Sequence, residues 1–236
     1  MRRETTLLFL VSCAAFAGLA CAKVVRTFNQ SSGPQTNPQC LDREKYAAAV
    51  KQLSSHDQTE ADQAAALLVT TSRISSSCKS EVIAVIMNGM NKPDLDFDRD
   101  ADSYWLWRHG SDLLGDLHAT EALDLLVSHL DSRTKMFSSS MDHMPALSGV
   151  IKMGASAMPR LDAVLKHDPK PGMRHAAVYC IATIGGPSAV KSLREAIPTE
   201  SNECVSRFIR ISLENFDESG KIKDRGKWFS GISCDE

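Results

Sequence analysis

Residues 181–197 read IATIGGPSAVKSLREAI, and two readings compete for them. With glycine in place of Val190, the segment 185–192, GGPSAVKS, would match the phosphate-loop pattern G-x-x-x-x-G-K-[ST], in which backbone amides and a lysine cradle phosphates. The flanking residues decide against it. Upstream, Met173, Ala176, Ala177, Cys180, Ile181 and Ile184 recur at the helical period and predict one apolar helix face over 172–184. Pro169 and Pro171 mark the start of that helix, and Gly185 and Gly186 its end. Pro187 then falls in the first turn of a second helix, where a missing N–H costs nothing. Ala189, Val190, Leu193 and Ile197 give that helix its apolar face, and Pro198 stops it. A phosphate loop needs a strand before it and glycine at 190 so that amides can approach the phosphates. The stretch is instead the hinge of a helical hairpin.

The same hairpin occurs twice upstream. Superposing Gly110, Ala146 and Ala177 brings Leu114, Val150 and Ile181 into register, then Leu117, Met153 and Ile184. With one residue of variation in the turn, Ala122, Ala157 and Ala189 align, followed by Leu126, Leu161 and Leu193. A period of about 30 to 40 residues built from two helices is the signature of an α-solenoid. A weaker copy is expected earlier, with Ala64, Leu67 and Leu68 on one helix and Val82, Ile83, Ile86 and Met87 on the next. Helices near 41–53 and 202–216 are then expected to cap the two ends, as stacked repeats require.

Residues 181–197, together with LGDLHATEALDLLVSHL and IKMGASAMPRLDAVL, resemble the HEAT repeat. The likeness is to its short bacterial type, whose turn reads L-G-x-P-x-A-V-x-x-L. It covers 104–197 well and 57–91 poorly. It implies an all-α, right-handed α-solenoid of antiparallel helix pairs. HEAT-like repeats occur in scaffolds, adaptors and a few lyases that handle tetrapyrroles, so the resemblance implies a binding surface and supplies no catalytic motif.

The amino terminus has a different character. Arg2 and Arg3 precede an apolar run over 7–20, with small residues at Ala20 and Ala22. A charged region, an apolar region and an A-x-A site predict a signal peptide over 1–22, cleaved after Ala22, and export to the periplasm or beyond. The run is short for a membrane span, which takes about 20 residues. Leu10-Val11-Ser12-Cys13 fits a lipoprotein signal in letters, although its apolar run would be very short. Gly18-Leu19-Ala20-Cys21 fits with the leucine displaced, so lipid anchoring is a second reading. Residues 23–39 are polar with two prolines and read as a linker. The solenoid is expected over 40–216 and a tail over 217–236. The formal charge of −2 gives no footprint for nucleic acid.

Beyond the signal lie five cysteines: Cys40, Cys78, Cys180, Cys204 and Cys234. An oxidising compartment favours Cys40 with Cys78, and Cys204 with Cys180 or Cys234, leaving one unpaired. Cys180 packing as a small apolar residue is an equal reading.

Three features could carry chemistry. In KPDLDFDRDADSYWLW, the carboxylates Asp94, Asp96, Asp98, Asp100 and Asp102 alternate, and an extended chain would put all five on one side. A Ca²⁺ ion would relieve their repulsion, yet the EF-hand pattern fails, with Arg99 and Trp105 where Gly and Glu belong. The competing reading is a solvated loop whose last residues cap the next helix. Tyr104, Trp105, Trp107 and Arg108 follow directly, and adjacent aromatics cannot all face one core. They are the candidate contact surface, against the reading that they seal a helical layer. The tail places Lys221, Lys223, Arg225 and Lys227 beside Trp228 and Phe229 and could fold back on its own domain. Seven histidines show no metal-ligand spacing, and no nucleophile motif stands out. The expectation is therefore an exported scaffold that binds a protein or peptide, without catalysis or cofactor. The alternative is a Ca²⁺-dependent enzyme or sensor using the 94–102 loop.

Overall fold

The computed structural model describes residues 39–93, 95–132, 144–223 and Cys234. The expected signal peptide, the expected linker up to residue 38, Asp94, and the tail residues Arg225, Lys227, Trp228 and Phe229 lie outside the described residues. All regular structure among the described residues is helical, apart from one isolated antiparallel bridge between Phe216 and Ile222. In chain order the helices are α1 (Arg43–Leu53), α2 (Gln58–Ser72), α3 (Ser76–Met90), α4 (Ala101–Asp116) and α5 (Leu123–Val127). There follow α6 (Leu147–Met153), α7 (Met158–His167), α8 (Pro171–Ile184), α9 (Gly186–Ala196) and α10 (Glu203–Glu214). Short 3₁₀ turns at Thr120–Ala122 and Gly154–Ala157 lead into α5 and α7.

Local chemistry sets most of the starts. Asp42, Asp57, Ser75, Asp100 and Asn202 each accept a hydrogen bond from an amide in the first turn of α1, α2, α3, α4 and α10. Such a cap is worth about 1 kcal/mol. Helices α7, α8 and α9 instead carry proline in their first turn.

The helices pack in alternation. Helix α4 lies on α6, α6 on α8 and α8 on α10, while α5 lies on α7 and α7 on α9. Helices α1, α2 and α3 pack on one another and on α4. Gly110, Ala146 and Ala177 are buried, as are Leu114, Val150 and Ile181, and Leu117 with Met153. So are Ala122, Ala157 and Ala189, and Leu126, Leu161 and Leu193. Ile184 alone in this set is half-buried. In the earlier hairpin Ala64, Leu68, Val82, Ile83 and Ile86 are buried, but Leu67 is 41% exposed and Met87 half-buried. Residues 67 and 68 are 100° apart on a helix, so only one of them can follow Ala64 into the core.

Helices α4 and α6 form the most extensive pairing, and it has little side chain between the backbones. A Cβ on Gly149 would collide with the carbonyl oxygen of Ser111. One on Gly115 would stand 2.7 Å from the Gly149 carbonyl oxygen and 2.8 Å from its Cα. The Ser111 hydroxyl, fully buried, donates to the Pro145 carbonyl just before α6. Polar ties repeat the spacing outside the core. Arg160 of α7 donates to Asp124 of α5 at 2.8 Å, and Lys166 of α7 pairs with Glu195 of α9 at 3.1 Å.

The turns after α4, α6 and α8 share one further property. His118, Gly154 and Gly185, each directly after the aligned Leu117, Met153 and Ile184, have φ of 48°, 61° and 73°. At this left-handed position glycine is free of strain, whereas histidine costs about 1–2 kcal/mol. Replacing His118→Gly is expected to stabilise the protein by about 0.5–1 kcal/mol, after the greater chain entropy of glycine is subtracted. Gly149→Ala is expected to destabilise it by about 1–3 kcal/mol through overpacking. Urea denaturation of both variants against the parent checks the two signs.

Candidate binding cleft

A cleft of about 510 Å³ opens along the face made by α4, α6 and α8. Arg108 and Asp112 of α4, Ser148 and Lys152 of α6, and Tyr179 and Thr183 of α8 line it. Helical spacing puts them there, since 108 and 112, 148 and 152, and 179 and 183 are each one turn apart on a single face. The Ser148 hydroxyl donates to Asp112, and Lys152 Nζ reaches Asp112 at 2.6 Å and Asp116 at 3.0 Å. Burial pushes the Lys152 ammonium down, but its bonds to Asp112 and then Asp116 outweigh that and hold it above the usual lysine range. His109 also lines the cleft. Burial first, and the Arg108 charge second, lower its pKa below the ordinary imidazole value. Two polar atoms at this wall, His109 Nε2 and Thr183 Oγ1, are buried with no hydrogen-bond partner among the described residues.

The aromatic candidates separate into two pairs. Tyr104 and Trp107 are 1% exposed, and Trp107 Nε1 donates to the Met90 carbonyl at 3.0 Å. Being three apart on α4, they share its inward stripe, and Phe97 packs edge-on against both. As contact-surface candidates these two are corrected to core residues. Trp105 and Arg108 lie on the next stripe, half-buried. The Trp105 ring stacks on His109 with centroids 5.7 Å apart, and His56 lies 5.7 Å from its centroid. Of the four, Arg108 alone lines the cleft.

The aspartate loop is not extended. Amides of Arg99 and Asp100 donate to the Asp96 carbonyl at 3.2 and 2.9 Å, so the chain turns between the carboxylates and scatters them. Asp96 accepts from the Asp98 amide and pairs with Arg99 at 3.3 Å. Asp100 caps α4 and also meets Lys92 and the Ser103 hydroxyl. Asp102 pairs with His56 at 3.4 Å. The one-sided row of five carboxylates is therefore corrected, for Asp96, Asp98, Asp100 and Asp102, by this turn; Asp94 lies outside the described residues. No group of three or more metal-ligand side chains gathers among the described residues.

The cysteines and the glycine pair act on structure. Cys40 bonds to Cys78 and Cys204 to Cys234, while Cys180 is free and fully buried in α8. At the 185–192 hinge, the Gly186 amide donates to the Gly220 carbonyl at 2.7 Å. Lys191 is exposed and Ser192 donates to Asp162. The amide that a phosphate would use is thus taken up by the segment after α10.

No family model matches the chain. A stretch of 69 residues is 33% identical to the epoxyqueuosine reductase of Bacillus subtilis (strain 168). It covers 29% of this chain and 18% of that protein, so the match spans less than a fifth of the reductase.

Because Asp96, Asp100 and Asp102 each already have a local partner, calcium at millimolar concentration is expected to leave the melting temperature unchanged. Asp100→Ala is expected to cost about 1 kcal/mol through loss of the α4 cap. Differential scanning calorimetry with and without calcium reads both effects.

Proposed function

We propose that this chain is an exported, non-catalytic HEAT-like α-solenoid that binds a protein or peptide along the face of α4, α6 and α8. The observation that carries this reading is the register of the three hairpins. Offsets of 36 and 31 residues superpose the buried positions of the first helices, their turn residues of positive φ, and Asp112, Ser148 and Tyr179 of the cleft, and offsets of 35 and 32 superpose the buried positions of the second helices. A stack of repeats with a continuous groove on one side is a surface for an elongated partner. The export half of the proposal is supported by the two disulfides, which persist in oxidising compartments.

Phage display of random peptides on the oxidised chain tests this reading. The expected result is a set of binders that lose about tenfold or more in affinity to Ser148→Tyr, which fills the cleft from an exposed position. Lys191→Tyr on the opposite helix layer should leave them unaffected. Binders indifferent to Ser148→Tyr, or none at all, would overturn the reading.

A further inference from the structure

We propose that one edge of α10, the stripe Cys204–Phe208–Ile211–Asn215, is a docking surface for the chain's own residues 224–233, with the Trp228 ring over Ile211. This holds whatever the cleft of α4, α6 and α8 binds. Described residues fix both ends of the segment. At one end the Lys223 amide donates to the carbonyl of Asn215, the C-cap of α10, at 2.9 Å. At the other, Cys234 is bonded to Cys204 and only 2% exposed, so the segment returns to the surface of α10 itself. Positions 204, 208, 211 and 215 recur at i, i+4, i+7 and i+11, which puts both anchors on one stripe of the helix.

The length of chain between the anchors holds the segment near that stripe. Helical rise separates Cys204 from Asn215 by about 16 Å. The chain from Lys223 to Cys234 spans about 36 Å when extended, enough to settle along the stripe and too little to reach a distant surface. Tethered at both ends, it meets α10 at an effective concentration on the order of mM, at which weak contacts stay filled. The rival route is the groove between α9 and α10, lined by Val190 and Leu213. Leu213 is half a circle from Cys204 around the helix axis, so a chain routed there would have to cross over α10 to reach its disulfide.

The side chains match the same antiparallel course. Trp228 and Phe229 stand midway between the anchors in sequence, as Phe208 and Ile211 do on the stripe. Ile211 is half-buried, packed on the core from one side and left with an apolar flank for a ring to cover. Arg225 and Lys227 belong to the end nearer exposed Glu214. Asp235 and Glu236 follow Cys234, at the end of exposed Arg207, one turn from Cys204. Among the described residues α10 packs on α8 and α9, and the last helix of a stack needs cover on its free side.

The oxidised chain itself provides the test. Nuclear Overhauser spectra should show cross-peaks between the Trp228 ring and the Ile211 methyl groups, with no variant required. The fluorescence of Trp228, taken as the difference between the parent and Trp228→Phe, should be shielded from acrylamide relative to free tryptophan. Ile211→Asp should remove that shielding while helix content by circular dichroism is unchanged. A Trp228 as open to acrylamide as free tryptophan would overturn the inference, as would ring cross-peaks to Leu213 or Val190 in place of Ile211. Shielding that survives Ile211→Asp in a folded chain would overturn it too. So would shielding that vanishes on dilution, since a second copy would then supply the cover.

Discussion

The backbones of α4 and α6 meet with almost no side chain between them, and the neighbouring features depend on that approach. Gly149 lies against the carbonyl of Ser111, and Gly115 against Gly149 itself. At this separation the Ser111 hydroxyl reaches the Pro145 carbonyl, a buried donor paired across two helices. Ser148 and Lys152, flanking Gly149 on α6, then reach Asp112 and Asp116 on α4. A larger residue at 149 would lift α6 away and lengthen every one of these contacts. The cleft is therefore a consequence of close packing and not a gap left by poor packing.

The two ends of the helical array are held differently from its middle. At the start, a disulfide ties Cys40, ahead of α1, to Cys78 in α3. At the finish, Cys204 of α10 holds Cys234, and Gly220 accepts from the Gly186 amide at the α8–α9 hinge. Arg174 of α8 adds a bidentate pair with Glu200, whose carboxyl burial pushes up but the guanidinium holds below its usual range. Covalent ties among the described residues thus sit where a terminal helix has a neighbour on one side only, which is where stacked helices are least protected, while ion pairs run along the whole array.

Much of the helical order could be read from the sequence because its signals are local. Apolar residues at the helical period, prolines in first turns and glycines after last turns locate α8 and α9 within a residue or two. What escaped depends on context. Alternation of aspartates says nothing of a turn between them, and the turn is made by the Asp96 carbonyl, which the sequence does not distinguish. The burial of Tyr104 and Trp107 follows from their three-residue spacing, but which stripe faces inward is decided by Met90 and Phe97 on other segments. Gly149 went unmarked as a contact because Ala146 supplied the aligned small residue. Asp112, Ser148 and Tyr179 share the offsets of the first helices' apolar positions, yet have no common chemistry to announce it.

The most direct measurement is a nuclear Overhauser experiment on isotopically labelled protein. The account predicts strong cross-peaks between the α-protons of Gly149 and those of Gly115, since a Cβ on Gly115 would stand 2.8 Å from the Gly149 Cα. Assigned spectra that lack these cross-peaks, with both helices formed, would contradict it.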